Sequence, residues 1–117
     1  MQKCDEDDVR KLDRMMNYLR ATNKRGIVLR PGGGGLAVSL YADAAYGVHA
    51  NGKLHTGSCV VIGELGAVHC KSEKQRIVMK SNTEAELVAL SDSCVQGLLI
   101  RKFLQSQGYK IGAVVVY

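Results

Sequence analysis

Residues 81–90 constrain the fold of this chain most, because a polar turn there becomes an apolar helix that carries two carboxylates. Ser81 followed three residues later by Glu84 is a capping box, which predicts a helix start and gives Glu84 a structural role. Glu86 has no such role. At about 100° per residue it lies at the border of an apolar arc, half facing what that arc packs against; the arc is formed by Leu87, Leu90, Cys94 and Leu98. Glu86 is therefore a candidate functional carboxylate, although acidic first turns also simply complement the helix dipole.

Three segments rich in strand-forming residues precede this helix. Tight turns at residues 50–53 and 64–66 separate them, which predicts an antiparallel meander; the segments are residues 36–46, 55–62 and 67–71. The meander followed by a helix predicts a mixed α/β fold with the helix packed on the sheet.

The helix is predicted to run through Phe103 or Leu104 and to end before Gly108, a suitable C-terminal glycine. Beyond it, residues 111–117 form a continuous apolar run, typical of a strand covered on both faces. Since domain boundaries fall in exposed linkers and this chain stops within the strand, we expect the domain to be C-terminally incomplete.

An amphipathic helix is predicted at the N-terminus, from the acidic residues 5–8 to about Ala21, docked on a neighbouring surface. We therefore divide the chain into a linker helix, residues 1–25, and an α/β domain, residues 26–117. Residues 26–30 resemble a short strand. The glycine-rich residues 31–35 predict a flexible turn rather than a phosphate-binding loop, because no Lys-Ser/Thr pair and no helix follow.

The bulk properties permit a polyanionic partner without requiring one. The formal charge is +5 and the pI is near 9.1, a mild excess also common in proteins that bind no nucleic acid. No apolar run is long enough to span a bilayer, and the acidic N-terminus does not resemble a signal peptide, which predicts a soluble intracellular protein. The scattered cysteines and histidines lack zinc-ligand spacing, so neither a zinc site nor a disulfide framework is expected.

Asp43 is the second candidate carboxylate. It lies within an apolar strand segment, where burying an ionised carboxylate is costly unless the group is paired or bound to a metal. An ion pair with a lysine, or a position at an exposed strand end, would also explain an aspartate in this segment. A basic loop at residues 71–76 is predicted either to be a solvated connector or, together with Lys80, to contact phosphates.

The chain resembles the ribonuclease H region of Ty1/copia-type retrotransposon polyproteins. The resemblance rests on the order of elements and on successive motifs at residues 41–44 (YADA), 52–57 (GKLHTG), 71–75 (KSEKQ) and 81–90 (SNTEAELVAL), the last being the most specific. Residues 17–22 (NYLRAT) resemble the segment that links the reverse transcriptase to this region. The match therefore covers nearly the whole chain.

The resemblance implies an RNase H-like fold, with three antiparallel strands, a long helix and a fourth parallel strand. It implies Mg²⁺-dependent hydrolysis of the RNA strand in RNA/DNA hybrids, with two ions in the complete site, in a cytoplasmic virus-like particle or the nucleus. Asp43 becomes the first metal ligand and catalytic residue. Glu86 becomes the second, because residues 86–90 match the family pattern of glutamate, hydrophobe, any residue, alanine and hydrophobe. Glu84 is the fallback. The reverse transcriptase portion becomes a partner, and Lys71, Lys74, Arg76 and Lys80 become nucleic-acid contacts.

The sequence departs from the family pattern in two places. Ala45 and Tyr46 stand where many members carry a second acidic residue and a tryptophan. The chain also stops before the third and fourth carboxylates, so we expect little or no nuclease activity from it unless further sequence completes it. The alternative function is a noncatalytic remnant that binds nucleic acid or packs against a reverse transcriptase. The nuclease hypothesis requires Asp43 and Glu86 to converge on one divalent ion.

Overall fold

The computed structural model describes residues 4–30, 32–33, 35–45 and 47–117. Tyr46, the proline and one glycine of the predicted 31–35 turn, and the first three residues of the predicted linker helix lie outside the described residues. The elements are α1 (Glu6–Thr22), β1 (Val38–Ala45), β2 (His55–Ile62), β3 (Ala67–Lys74), α2 (Asn82–Ser106) and β4 (Val115–Val116). The predicted mixed α/β class is confirmed.

The four strands form one sheet in the order β3-β2-β1-β4. The two hairpins β1/β2 and β2/β3 are antiparallel, as predicted, and β4 runs parallel to β1. Tyr117 extends the β4 ladder, since its N–H donates to the Leu40 carbonyl over 2.9 Å and its carbonyl accepts from the Ala42 N–H over 3.2 Å. The fourth parallel strand is therefore present.

This last strand is shorter and less buried than its apolar sequence predicts. Only Val115 and Val116 are strand residues, and they are 45% and 43% exposed. The prediction of a strand covered on both faces is therefore wrong for the described residues.

Helix α2 begins at the predicted cap and ends, as predicted, before Gly108, which adopts a φ of +87°. Its buried residues are four small ones at a spacing of four, Ala85, Ala89, Ser93 and Gly97, followed by Leu104. A Cβ on Gly97 would lie 3.2 Å from the Val114 Cγ1 atom, so the helix approaches the sheet closely there. The predicted apolar arc is wrong in part: Leu87 and Leu98 are 60% and 46% exposed, because small side chains allow closer contact than leucine.

The core lies between α2 and the inner face of the sheet in two clusters. The first is buried around Val38, Leu40, Val60, Leu104 and Ile111, and the second around Ala44, Leu54, Met79, Ala85 and Ala89. Because side chains alternate along a strand, the burial of Leu40 and Ala44 places Tyr41 and Asp43 on the opposite, uncovered face.

Helix α1 forms over the predicted residues, but its predicted docking is not found against any described residue. Asp5 caps it, accepting from the N–H groups of Asp7 and Asp8, while the Asp8 carboxylate accepts from the Asp5 N–H. No α1 residue is buried. The adjoining residues 26–30 are not a strand either, since they contribute only one bridge, from Arg30 to Leu65.

Gln75 joins β3 to the start of α2 through a buried amide. It is 4% exposed, and its Nε2 donates to the Thr56 Oγ1 over 3.0 Å and to the Ala85 carbonyl over 3.2 Å. Its backbone N–H donates to the Leu54 carbonyl over 2.8 Å. The side chain therefore joins the sheet to the first turn of α2, directly before Glu86.

We expect Gln75→Ala to lower the free energy of unfolding by about 1–3 kcal/mol, because it leaves the buried Thr56 hydroxyl without its partner. Urea unfolding followed by circular dichroism measures the change. Gln107→Ala is the matched control, since that side chain is exposed and only its backbone N–H is bonded. Equal effects of the two substitutions would show that the Gln75 bonds contribute nothing specific.

Candidate functional site

Asp43 lies on the uncovered face of β1, next to a cavity on the surface of the sheet. Its cross-strand partner is Gly57, and a Cβ built on Gly57 would meet nothing within 4 Å. The glycine therefore leaves space next to the carboxylate. A cavity of about 680 Å³ occupies this face, lined by Tyr41, Ala42, Asp43, Gly57, Ser58, Cys59, Cys70, Lys71, Ser72 and Tyr117.

Two stacked tyrosines form one wall of this cavity. The rings of Tyr41 and Tyr117 lie 4.9 Å apart between centroids, with 12° between their planes. Tyr41 precedes Asp43 by two residues on the same face of β1. Tyr117, at the end of β4, contacts Tyr41 and also lines the cavity. A flat aromatic surface therefore adjoins the carboxylate.

Glu86 projects from the second turn of α2 into a different, adjoining cavity. It is half-buried, and the cavity of about 260 Å³ is lined by Ala42, Thr83, Glu86, Leu87, Leu90, Val116 and Tyr117. Ala42 and Tyr117 line both cavities. The fold thus brings Asp43 and Glu86 to either side of the same stretch of β1, but not into one cavity, and their convergence on a shared ion stays a prediction.

Glu84 is engaged at the start of the helix. Ser81 Oγ accepts from the Glu84 N–H over 3.2 Å, as the capping box predicts, whereas the Glu84 carboxylate accepts from the N–H of Lys80 over 2.9 Å instead of from that of Ser81. Glu84 therefore has a structural partner, whereas the Glu86 carboxylate forms no hydrogen bond with another described residue.

The candidate metal ligands have the donor chemistry that Mg²⁺ prefers, because hard cations bind carboxylate oxygens. Neither Asp43 nor Glu86 forms an ion pair within the described part of the chain. Among residues 4–30, 32–33, 35–45 and 47–117, no group of three or more His, Cys, Asp or Glu side chains is placed to hold a metal ion. The two carboxylates are suitable ligands, but the described residues do not form a complete metal site.

The predicted basic loop is partly a strand, because β3 continues through Lys74. Lys71, Lys74 and Arg76 line a groove of about 570 Å³ between β3 and α2, together with Glu73, Gln75, Ile77, Val88, Asp92, Val95 and Gln96. Lys71 forms an ion pair with Glu73. Lys80 does not line this groove. The four predicted nucleic-acid contacts are therefore only partly brought together, and acidic side chains share their surface.

A chain of polar side chains that the sequence did not reveal follows the uncovered face of the sheet. His55 Nε2 lies 2.7 Å from Ser72 Oγ, and His55 Nδ1 lies 3.1 Å from His49 Nε2. Desolvation, then the charges of Lys74 and His55, lower the pKa of His49. His55 and Ser72 are diagonal neighbours across the β2/β3 hairpin. The position of the turn between the two strands sets this register, so the turn is the sequence signal that could have predicted the contact.

Comparison with protein-family models, curated proteins and solved structures finds no match to this chain. Within the described residues, neither helix is both long enough and apolar enough to cross a lipid bilayer.

Proposed function

We propose that this chain is part of the ribonuclease H region of a Ty1/copia-type retrotransposon polyprotein, a region that hydrolyses the RNA strand of RNA/DNA hybrids. The observation that carries the proposal is the sheet order β3-β2-β1-β4 with β4 parallel to β1. The resemblance implies three antiparallel strands and a fourth, parallel strand. The sheet order sets Asp43 just past the end of the β1/β4 ladder, and the neighbouring Ala42 lines a cavity together with Glu86.

In this proposal Asp43 and Glu86 would hold Mg²⁺, which would supply activation of the attacking water and stabilisation of the leaving oxygen. The edge of β1 away from β2 has no strand partner from Asp43 onward among the described residues. We expect the two carboxylates to converge on the ion around this open edge. Glu86 is preferred over Glu84 because the Glu84 carboxylate already accepts from the Lys80 N–H.

Two tyrosines and the basic residues of the groove beside α2 bind the hybrid in this proposal. The stacked Tyr41 and Tyr117 supply a flat surface of the kind on which nucleotides pack. Lys74 and Arg76 contact phosphates from the groove beside α2, whereas Lys71 is partly neutralised by Glu73. Recognition depends on 2′-hydroxyls in a wide minor groove rather than on base sequence.

We expect Lys74→Ala and Arg76→Ala each to weaken hybrid binding and to reduce the slope of log affinity against log salt by about one, since each removes one phosphate contact. Lys71→Ala is expected to have a smaller effect because of its ion pair with Glu73. Fluorescence anisotropy with a labelled hybrid at several salt concentrations gives the slopes. Lys24→Ala, at an exposed position after α1, is the matched control. Slopes unchanged in both groove variants would exclude the groove as the contact surface.

A second candidate function is a noncatalytic module that binds nucleic acid or packs against the reverse transcriptase portion. The uncovered apolar face of α1 favours packing, since its side chains are 43–53% exposed at Val9, Leu12, Met15, Met16 and Leu19. The reading frame past Tyr117 separates the two functions. An aspartate within a few residues supports the nuclease, and an immediate stop codon supports the noncatalytic module. As a nuclease or its remnant, the protein acts in a cytoplasmic virus-like particle or in the nucleus.

A further inference from the structure

Two cysteines face each other across the β2/β3 hairpin. Cys59 and Cys70 are direct partners in the antiparallel register, and their Sγ atoms lie 3.1 Å apart. The Cys59 thiol donates to the Cys70 sulfur. Both thiols are free, and both line the 680 Å³ cavity on the uncovered face of the sheet. A small molecule in this cavity therefore reaches both sulfur atoms.

The backbone already has the spacing that a disulfide needs. Directly opposed residues in an antiparallel pair have Cα atoms about 4.5–5.5 Å apart, and disulfides span Cα separations of about 4.4–6.8 Å. A disulfide bond is about 2.05 Å long, so the sulfurs must approach by roughly 1 Å, which side-chain rotation supplies. Neither strand needs to move for the bond to form.

We propose that Cys59 and Cys70 are a dithiol–disulfide pair that closes by exchange with a low-molecular-weight disulfide of the glutathione type. The exposed Cys70 thiolate attacks one sulfur of the small disulfide, forming a mixed disulfide and releasing one small thiolate. Cys59 then loses its proton to solvent and attacks the Cys70 sulfur, which releases the second small thiolate. The protein loses two hydrogen atoms, and the small disulfide is reduced to two thiols.

The order of attack follows from the surroundings of the two thiols. The hydrogen bond with Cys70, and then burial, raise the pKa of Cys59, whereas Cys70 is the more exposed of the two thiols. The thiolate is the attacking species in exchange. Cys70 therefore reacts first, and Cys59 resolves the mixed disulfide. This chemistry does not depend on the nuclease proposal, because it involves no carboxylate or metal ion.

The test uses the full chain with Cys4→Ser and Cys94→Ser, which leaves only this pair. The protein is equilibrated with oxidised and reduced glutathione at graded ratios, quenched with acid, alkylated and weighed by intact-mass spectrometry. We expect loss of two hydrogen atoms, no alkylation and no retained glutathione. Adding Cys59→Ser is expected to trap one glutathione on Cys70, because the resolving thiol is gone.

The folded pair should close at a glutathione ratio at least about tenfold more reducing than the same chain in urea, because the strands hold the thiols together. Two alkylated cysteines at every ratio, retained glutathione on the intact pair, or a disulfide-linked dimer would each overturn the proposal. If the serine variants do not fold, peptide mapping of the oxidised four-cysteine chain gives the answer. A linked peptide containing Cys59 and Cys70 supports the pair, and its absence contradicts it.

Discussion

Asp43→Asn is expected to reduce Mg²⁺-dependent cleavage of an RNA/DNA hybrid by about 1000-fold in a protein that extends past Tyr117. The substitution keeps the size of the side chain but removes the charge that holds the metal ion. Metal-ion stabilisation is worth several kcal/mol, and about 1.4 kcal/mol corresponds to a factor of ten in rate. The assay follows a hybrid with labelled RNA under single-turnover conditions, with and without Mg²⁺.

The same assay distinguishes the two glutamates of α2. Glu86→Gln is expected to reduce cleavage about as strongly as Asp43→Asn, whereas Glu84→Gln retains it, because glutamine also accepts the Lys80 N–H. Asp13→Asn, on the exposed surface of α1, is the control for a generic change of charge. Cleavage by Asp43→Asn at the parent rate would show that Asp43 is not a ligand. Loss in Glu84→Gln alone would reassign the second ligand to Glu84.

Leu40→Ala is expected to lower the free energy of unfolding by about 2–5 kcal/mol, the range for removing a fully buried leucine. Leu40 lies on β1, one of the two inner strands, is 0% exposed and belongs to the larger core cluster. Total stabilities of single domains are about 5–15 kcal/mol, so this one change removes a large share. Urea unfolding monitored by circular dichroism measures it.

Leu87→Ala is the matched control for the core substitution, because it makes the same chemical change on an exposed part of α2. Leu87 is 60% exposed, so we expect a change within about 0.5 kcal/mol. A loss at Leu87 as large as at Leu40 would mean that α2 turns Leu87, not its small residues, to the sheet. The pair therefore tests the orientation of the helix that carries Glu86.

Local sequence signals predicted the elements and their order. Turn chemistry marked both hairpins, the cap at Ser81 marked the start of α2, and Gly108 marked its end, because these signals depend on neighbouring residues only. The apolar arc of α2 was assigned incorrectly in part, since hydrophobicity does not show that alanine and glycine at Ala85 and Gly97 give the closest approach to the sheet.

For the candidate site, the sequence by itself determined which residues carry suitable chemistry: Asp43 in an apolar strand and Glu86 near a helix start. Only the tertiary structure decided their neighbours. The register sets Asp43 opposite Gly57 and Cys59 opposite Cys70, and α2 carries Glu86 to an adjoining cavity. The physical reason is that strand register and helix packing join residues distant in the chain, and these contacts depend on the whole sheet rather than on any local pattern.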